Sequence, residues 1–368
     1  MEMNFFMPAK IVTGKGCIIK NAELFTAYGK RCLIVTGKTS AKKCGALDDV
    51  TSALDSVGIS YEIYDGIAQN PTYASCLEAS EKAKAQNADF IIGIGGGSPL
   101  DAAKAVAVLA ACNDVSEKSL FSMEWDAKPL PIIAVGTTAG TGSEVTPVAV
   151  ITNSDGLKKS FRSSDTYPAL SFGDASYTMS LPTDFTRSTA LDALCHCVEA
   201  YFNRSTNHIC RTFALKGIQM LVELLAKTAS CDAAELTFED REALYFASIY
   251  GGLAISVAGT CFPHGMGYFL SEQYGVPHGN ACAVYLPDFI EHNAVNAPEE
   301  VAEFFKQIGT DKDGFVSVVK SNLPELGVKL TCDEVDKLLP RFVDNKNLKK
   351  CYGNFDVNAA KKVLKKLF

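Results

Sequence analysis

The sequence feature that most constrains the fold is an apolar run, Asp89–Gly95, that ends in glycines and leads directly into a helical pattern. Further strand-like runs flank it, separated by helical patterns at 46–57 and 72–86. These runs are Lys10–Thr13, Arg31–Thr36, Ser60–Gly66 and Pro131–Val135. Strands that alternate with helices are typical of a parallel sheet with helices on both faces, and such sheets bind ligands at the carboxyl ends of their strands.

The pattern changes after about residue 180, where strand-like runs nearly vanish. Helical patterns then follow one another at 185–202, 207–228, 238–256, 280–293, 298–308, 313–323 and 332–339. A chain of 368 residues is long enough for two domains. We therefore predict a Rossmann-like α/β domain over 1–180 and an all-helical domain over 181–368.

Composition excludes several classes of protein. A net charge of −7 without a long basic run argues against a nucleic-acid partner. No window holds eighteen consecutive apolar residues, and the N-terminus lacks the apolar core of a signal peptide, so no membrane partner is expected. The 13 cysteines are scattered without CxxC pairs, which favours the reducing cytoplasm.

The glycine cluster after Asp89–Gly95 has the properties of a phosphate-binding turn. Gly95, Gly96 and Gly97 let an anion approach the backbone, and Ser98 suits the N-cap of the helix that follows. The helix dipole favours an anion at that end. The alternative is a plain strand-to-helix turn, because the spacing is neither GxGxxG nor a Walker loop.

A second polar loop, Thr137–Thr146, follows the run Pro131–Val135. It offers hydroxyls for a cofactor amide, ribose or phosphate, from Thr137, Thr138, Thr141 and Ser143. Lys159 is a further candidate for a ribose or phosphate contact, although an ordinary surface lysine is the simpler interpretation.

A candidate metal site comes from the histidines, of which the chain has only 5. Asp192 and His196 are four residues apart in a helical pattern, so they share one face. His264 and His278 bracket a glycine-rich segment. Three imidazoles and one carboxylate suit iron or zinc rather than calcium or magnesium. The alternative is a structural Asp–His pair and two polar loop residues.

Four motifs, in this order, make the chain resemble the iron-containing (group III) alcohol dehydrogenases. They are GGGSPLDAAK, TTAGTGSEVT, DALCHCVEAY and HGMGY…YGVPHG, and the similarity begins near MPAKIVTGKG. The resemblance implies a dehydroquinate synthase-like architecture, a nicotinamide cofactor, a small alcohol or aldehyde substrate and a homodimer.

The resemblance also assigns residues by position. It implies that Asp192, His196, His264 and His278 bind Fe²⁺ or Zn²⁺, and that Gly95–Ser98 bind the pyrophosphate with Asp101 in the next helical turn. The remaining positions that match cofactor contacts in the family are Asn70, Thr137, Thr138, Thr141, Ser143, Lys159 and Leu181.

The chain departs from the family at two places near the ligands. Many members carry a second histidine four residues after the third ligand, where this chain has Tyr268. Tyr268 either donates its hydroxyl in place of that histidine or packs against the nicotinamide. Cys195 and Cys197 flank His196, and neighbours on a helix point about 100° apart, so we expect core thiols.

A third departure concerns the cofactor. Members of the family that prefer NAD carry an acid after the LIVT strand, and this chain has Gly37 there. The ammonium of Lys38 and the hydroxyl of Ser40 follow, as do Thr39, Lys42 and Lys43. Without a carboxylate to repel a 2′-phosphate, we predict that NADP(H) is preferred over NAD(H). The alternative is that Gly37 is only a turn residue and the lysines are solvated.

The leading hypothesis is therefore a metal-dependent, nicotinamide-linked alcohol dehydrogenase or aldehyde reductase. A second is a glycerol dehydrogenase-like or dehydroquinate synthase-like reaction on the same architecture. A third is a non-catalytic nucleotide-binding protein with a structural metal.

Overall fold

A computed structural model describes residues 5–113 and 115–367 of the chain. It divides into two compact units. One unit comprises Phe6–Leu181 together with Thr237–Tyr245 and contains the strands. The other is built mainly from Pro182–Leu236 and Phe246–Phe368 and is helical. The predicted fold class, a parallel-sheet α/β part followed by a helical part, is confirmed.

The first unit is organised around a six-stranded sheet in which all neighbouring strands are parallel. The strands of the chain are β1 Lys10–Thr13, β2 Arg31–Thr36, β3 Ser60–Tyr64, β4 Phe90–Gly95, β5 Ile132–Gly136, β6 Val148–Thr152, β7 Lys158–Arg162 and β8 Leu170–Gly173. The sheet order is β1-β8-β5-β4-β2-β3, and β6 pairs antiparallel with β7 in a separate two-stranded sheet.

Three of these strands, β6, β7 and β8, were not predicted from the sequence. The most consequential is β8, because it lies inside the sheet between β1 and β5. It is only four residues long and includes Ser171, whose Oγ donates to the carbonyl of Glu144 at 2.6 Å. So short a run with a central hydroxyl carries little apolar periodicity, and pairing on both sides makes it a strand.

The central strands are buried on both faces, which accounts for their continuous apolar runs. In β2, the side chain of Ile34 packs into one core while those of Leu33 and Val35 pack into the other. The helices of this part of the chain are α1 Cys17–Lys20, α2 Ser40–Lys43, α3 Ala46–Ser56, α4 Tyr73–Ala85, α5 Gly97–Ala111 and α6 Glu117–Ser122. Helix α3 covers the Ile34 face, and α4 and α5 cover the other.

A segment from late in the chain, Thr237–Tyr245, completes the sheet unit. The hydroxyl of Tyr245 donates to Glu144 Oε1 at 2.9 Å, and both side chains are buried. β5 and β8 end in Gly136 and Gly173, and a Cβ on either would lie 2.6 or 2.5 Å from atoms of Tyr245. The boundary predicted near residue 180 would assign this segment to the helical domain. In the structure it belongs to the sheet unit, where Tyr245 packs against Gly136 and Gly173.

The helical unit carries the remaining helices. They are α7 Thr183–Tyr201, α8 His208–Thr228, α9 Phe238–Ala258, α10 Phe262–Tyr274, α11 His278–Ala283, α12 Leu286–Asn296, α13 Pro298–Ile308, α14 Lys312–Asn322, α15 Cys332–Leu338 and α16 Val357–Leu364, with the first residues of α9 in the sheet unit. Among the described helices none is by itself long and apolar enough to cross a membrane. Helices α9 and α10 pass that test only as a pair bent by 111°.

Helix α10 was not predicted, because its glycines suggested a loop. A Cβ on Gly265 would lie 2.8 Å from Leu348 Cδ1, and one on Gly267 would lie 2.7 Å from the carbonyl oxygen of Ala281. These glycines therefore serve close packing of a helix rather than a turn. His264 therefore lies on a closely packed helix rather than in a loop.

Candidate metal centre and cofactor loops

The candidate metal centre is built on α7, a helix with 14 of its 19 residues buried. Asp192 and His196 stand one turn apart on this helix, 3% and 6% exposed. Asp192 Oδ1 and His196 Nε2 are 3.8 Å apart. The spacing of four residues thus gives the shared face that the sequence predicts.

Two further imidazoles reach the same carboxylate oxygen. His264, in the first turn of α10, places Nε2 3.5 Å from Asp192 Oδ1. His278, the first residue of α11, places Nε2 3.9 Å from it. The His264 ring stacks on that of His196 with centroids 4.7 Å apart. His196, His264 and His278 therefore each approach the same carboxylate oxygen of Asp192.

The polar atoms at this point fit a divalent cation. Asp192 Oδ1 and His264 Nε2 are buried and have no hydrogen-bond partner in the described part of the chain. Separations of 3.5–3.9 Å are long for hydrogen bonds. Donors that each lie about 2.0–2.1 Å from a shared metal sit roughly 3.4 Å apart in a tetrahedral shell. A buried carboxylate facing imidazole nitrogens at that spacing is suited to hold iron or zinc.

Glu199 contacts the His264 ring on the side opposite Asp192, and no sequence motif indicated this residue. Its Oε1 lies 2.5 Å from His264 Nδ1, and its Oε2 accepts from the backbone N–H of Cys261 at 2.6 Å. A carboxylate on Nδ1 fixes the imidazole tautomer and turns the Nε2 lone pair towards a metal. The spacing could have indicated it, because Glu199 lies seven residues, or two helical turns, after Asp192 and so shares its helix face.

The charges around the centre favour a cation. Burial raises the pKa of Asp192, but the imidazoles of His196, His278 and His264 outweigh that effect and hold the pKa below its ordinary value. Burial lowers the pKa of His264, whereas Cys282 and Glu199 raise it, and the net direction is well above its usual range. Carboxylates on both sides of the His264 ring thus stabilise positive charge between them.

Tyr268 lies one helical turn after His264 on α10. Its ring stacks on the His278 ring at a centroid distance of 5.7 Å and an interplanar angle of 6°. Burial raises the pKa of its hydroxyl to about 12. The side chain is therefore a protonated phenol at neutral pH, held directly against a candidate ligand.

In the sheet unit, the two predicted glycine-rich loops contact each other. A Cβ on Gly96 would lie 3.0 Å from Thr138, and one on Gly97 would lie 2.8 Å from Thr141. The N–H of Thr137 donates to the carbonyl of Gly95 at 2.9 Å. The loops follow β4 and β5, so they meet at the carboxyl edge of the sheet.

Asn70 and Ser98 extend the same cluster. The backbone N–H of Asn70 donates to Ser98 Oγ at 3.2 Å, and Asn70 has a left-handed backbone with φ 59°. Helix α5 begins at Gly97, so its first N–H groups point at this edge. The structure therefore brings together Asn70, Gly95, Gly96, Gly97, Ser98, Thr137, Thr138 and Thr141.

Asp101 and Ser143 are engaged with neighbouring parts of the same unit. Asp101 accepts from Ser143 Oγ at 2.8 Å and from the N–H of Val150 at 2.9 Å. The fully buried Lys104 donates to Ser143 Oγ at 2.6 Å and to the carbonyl of Val148 at 2.8 Å. These bonds fix the end of the second loop against α5.

The other predicted cofactor positions lie at three further places. Gly37, Lys38 and Ser40 follow the carboxyl end of β2, and a Cβ on Gly37 would lie 3.2 Å from the carbonyl oxygen of Ile67. Lys159 is exposed on β7, with its Nζ 5.8 Å from the centre of the Phe121 ring. The carbonyl of Leu181 accepts from Arg241 Nη2 at 3.2 Å.

Comparison with known proteins relates both parts of the chain to one family. The family model described as iron-containing alcohol dehydrogenase matches residues 8–175, and its C-terminal counterpart matches 186–351. The chain is 32% identical to 1,3-propanediol dehydrogenase of Citrobacter freundii over 88% of its own length and 81% of that protein. It is also 32% identical to lactaldehyde reductase of Escherichia coli K12, over 77% of its own length and 74% of that protein.

A solved structure extends the similarity to the fold. The crystal structure of an iron-containing alcohol dehydrogenase from Thermotoga maritima matches with a TM-score of 0.90 and 34% identity, covering 99% of each chain. Both halves of the chain and the ligand-bearing segments are included in these matches. The chain therefore belongs to the iron-containing alcohol dehydrogenase family.

Proposed function

We propose that the chain interconverts a small alcohol and its aldehyde, with NADP(H) as the hydride carrier and ferrous iron as the resident metal. As a member of this family, the chain is an oxidoreductase of the alcohol dehydrogenase and aldehyde reductase type. The observation that supports metal-dependent chemistry most directly is Asp192 Oδ1, which faces three imidazoles and has no hydrogen-bond partner among the described residues. A glycerol dehydrogenase-like or dehydroquinate synthase-like reaction is less well supported, because the matched model and relatives carry other names.

At the metal centre, Asp192, His196, His264 and His278 would hold the cation. When bound, the metal supplies a Lewis acid that polarises a carbonyl oxygen or lowers the pKa of an alcohol. Asp192 and Glu199 offset the added positive charge, and Glu199 keeps the His264 ring oriented. Tyr268 presents a protonated hydroxyl beside His278, and we propose it as the group that exchanges a proton with the substrate oxygen.

The cofactor would be held by the loop cluster of the sheet unit. The helix N-terminus at Gly97 and the close approach permitted by Gly95–Gly97 suit a pyrophosphate. Hydroxyls from Thr138, Thr141 and Ser98 line the same edge. We assign the amide, ribose and phosphate contacts of the cofactor to this cluster, and further contacts to Asp101, Ser143, Lys159 and Leu181.

The preference for NADP(H) rests on the end of β2. Lys38 and Ser40 are exposed there, whereas Lys42 pairs with Asp65 at 3.5 Å. An ammonium and a hydroxyl without a competing carboxylate at position 37 offer a 2′-phosphate both charge and hydrogen bonds. Lys38 is therefore the proposed 2′-phosphate ligand.

Two further proposals concern the setting of the enzyme. All 13 cysteines carry free thiols, which supports a reducing compartment such as the cytoplasm. We also propose a homodimer, as expected from the family, which sedimentation or light scattering would test by giving the mass of two chains.

The experiment that tests the proposed function compares metal-stripped and reconstituted protein. Initial rates are measured anaerobically with NADPH and NADH against a panel of short aldehydes. We expect no turnover after chelation, recovery with ferrous ion, and loss on exposure to air as ferrous iron and thiols oxidise. Full activity after chelation would contradict metal dependence, and full aerobic activity with stoichiometric zinc would contradict iron.

A further inference from the structure

Cys282 brings a sulfur atom into the candidate metal centre. It lies one helical turn after His278 on α11 and is fully buried. Its Sγ lies 3.8 Å from His278 Nδ1 and 3.9 Å from His278 Nε2. The sequence motifs do not single out this residue, which is one of 13 cysteines.

The sulfur belongs to one group of ligand atoms with three of the four predicted donors. One ligand atom from each of Asp192, His264, His278 and Cys282 lies within 4.8 Å of all the others. Two atoms of this group, Asp192 Oδ1 and His264 Nε2, are buried and without hydrogen-bond partners among the described residues. The thiol is therefore not an isolated cysteine but part of a polar cluster that already fits a cation.

The position of the thiol distinguishes it from the other cysteines near the centre. Cys195 and Cys197 flank His196 on α7, and each lies about 100° around the helix from that histidine. Cys282 instead lies four residues after His278, so the two side chains share one face of α11. Of these three thiols, only that of Cys282 is grouped with donor atoms of the centre.

We propose that Cys282 is a further metal ligand, so that the centre offers one carboxylate, three imidazoles and one thiolate. This inference rests on the proposed metal-dependent function and deepens it. On coordination the sulfur–hydrogen bond breaks, the proton leaves to solvent, and the sulfur lone pair forms the bond to the metal. No electron is transferred, so no oxidant or reductant is needed.

The added sulfur changes which metals the centre prefers. Thiolate is a soft donor that favours zinc and other thiophilic ions, whereas imidazole and carboxylate alone suit iron as well. We therefore expect zinc to compete with ferrous iron more strongly here than at a centre without the thiol. Replacing Cys282 should weaken zinc binding by about tenfold or more, since even outer-shell changes at metal sites cost about 10–100-fold.

Cobalt substitution tests the proposal with a readout that does not depend on turnover. Thiolate ligation to Co²⁺ produces a charge-transfer absorption in the near ultraviolet, which nitrogen and oxygen ligands do not. The metal-stripped wild-type protein is titrated with Co²⁺ alongside Cys282→Ala, Cys282→Ser and the control Cys197→Ala. Cys197 is equally buried and lies on the helix that carries two of the other ligands.

We expect the band in wild type and Cys197→Ala and its loss in Cys282→Ala, with cobalt still bound at one equivalent. Cys282→Ser keeps a small polar side chain at the position and should also bind cobalt without the band, which covers the case in which Cys282→Ala does not fold. A wild-type protein without the band, or a band that persists in both variants, would overturn the proposal.

The same samples separate this inference from the proposed function. If the wild-type protein reduces aldehydes but shows no thiolate band, the Cys282 proposal fails and the function stands. If the band is present but no aldehyde is turned over in any metal form, the ligand stands and the proposed reaction fails.

Discussion

His264 Nδ1 and Glu199 Oε1 are 2.5 Å apart, in a setting where both side chains are almost fully buried. The pair fixes the direction of the opposite ring nitrogen, Nε2, which faces Asp192. Glu199 on α7 thus orients the candidate ligand His264 on α10.

Glu199→Gln should weaken metal binding without removing a ligand. An amide keeps the shape but lacks the charge that stabilises the His264 ring, so we expect about a 10–100-fold loss of metal affinity. Competition with a chelator measures it. Glu299→Gln, at an exposed position on α13, is the control and should bind metal as wild type does. Equal affinities for the two variants would contradict the role of Glu199.

His264→Ala and His278→Ala should each abolish activity and lower metal content. His208 is the appropriate control, because it is exposed at the start of α8 and its replacement should cost no more than about 0.5 kcal/mol. Wild-type turnover with unchanged metal content in either ligand variant would show that the ligand is assigned wrongly.

His292, the other histidine outside the candidate centre, is not suitable as a control. Its Nε2 hydrogen-bonds the carbonyl of Tyr352 at 2.6 Å, and its ring packs edge-on against Phe262 and Phe355. His292→Ala should therefore lower the free energy of unfolding by about 1 kcal/mol or more, while the metal stays bound. A thermal melt beside a metal assay distinguishes the two effects.

Tyr268→Phe should lower kcat while leaving metal content unchanged. The variant keeps the ring that stacks on His278 and removes only the hydroxyl. General acid–base groups commonly contribute about 10²–10⁴-fold, so a loss of this size is expected if the phenol exchanges the proton. An unchanged kcat would restrict Tyr268 to packing, and Tyr268→Ala would then lower metal retention instead.

Lys38→Ala should shift the cofactor preference towards NADH. Loss of one charged hydrogen bond to a 2′-phosphate is expected to lower kcat/KM for NADPH by about tenfold or more and to leave NADH nearly unaffected. Lys30→Ala is the matched control, because Lys30 precedes the opposite end of the same strand. A higher kcat/KM with NADH in the wild type would contradict the preference itself.

Gly37→Asp tests the same preference by restoring the carboxylate, and it should favour NADH. The added Cβ lies 3.2 Å from the carbonyl oxygen of Ile67, so the loop must yield slightly. Gly37→Ala carries the same Cβ without charge and separates the steric effect from repulsion. An unchanged NADPH/NADH ratio in Gly37→Asp relative to Gly37→Ala would contradict repulsion.

Asp89→Asn should destabilise the protein at neutral pH and not at low pH. The backbone N–H groups of Lys30 and Arg31 donate to Asp89 Oδ2 at 2.8 and 2.9 Å, and the Lys30 bond is the main cause of a lowered pKa. A carboxyl with a lowered folded-state pKa stabilises the fold above its unfolded value, about 3.9, and loses that contribution as pH falls through the folded value.

Urea midpoints of the wild type and Asp89→Asn, measured from neutral pH downwards, test this expectation. The difference between the two urea midpoints should be present at neutral pH and should disappear in acid. Asp55→Asn, at an exposed site near the end of α3, should show no gap with that pH dependence. A gap for Asp89→Asn that is constant with pH would exclude the charge as its origin.

The parts of the fold that the sequence predicts are those with strong local patterns. Arg31–Thr36 is continuous and apolar, and it forms β2 with the predicted bounds. β8 could not be predicted from pattern, because its four residues become a strand only through pairing with β1 and β5. Helix α10 was hidden by glycines that are required by its neighbours, not by a turn.

A similar distinction applies to the metal centre. Asp192 and His196 share a helix face by spacing alone, so their proximity could be predicted. Spacing places Glu199 on the Asp192 face of α7 and Cys282 on the His278 face of α11. Their approach to His264 and Asp192 depends on how α7, α10 and α11 pack, which spacing within one helix does not encode. The scarcity of histidine identified the imidazoles, whereas carboxylates and thiols are too common in this chain for the same argument.

The insertion of Tyr245 among residues of the sheet unit has a consequence for biosynthesis. Chains leave the ribosome from the N-terminus, at about 5–20 residues per second, and domains generally fold as units. Here the sheet unit lacks part of its interior until Thr237–Tyr245 has been made, well after Leu181. Until then Tyr245 is not available to pack against Gly136 and Gly173 or to donate its hydrogen bond to Glu144. The sheet unit is therefore completed only after part of the helical half has been made, and a chimera of two relatives with a single crossover at residue 181 takes this part of its sheet unit from the second parent.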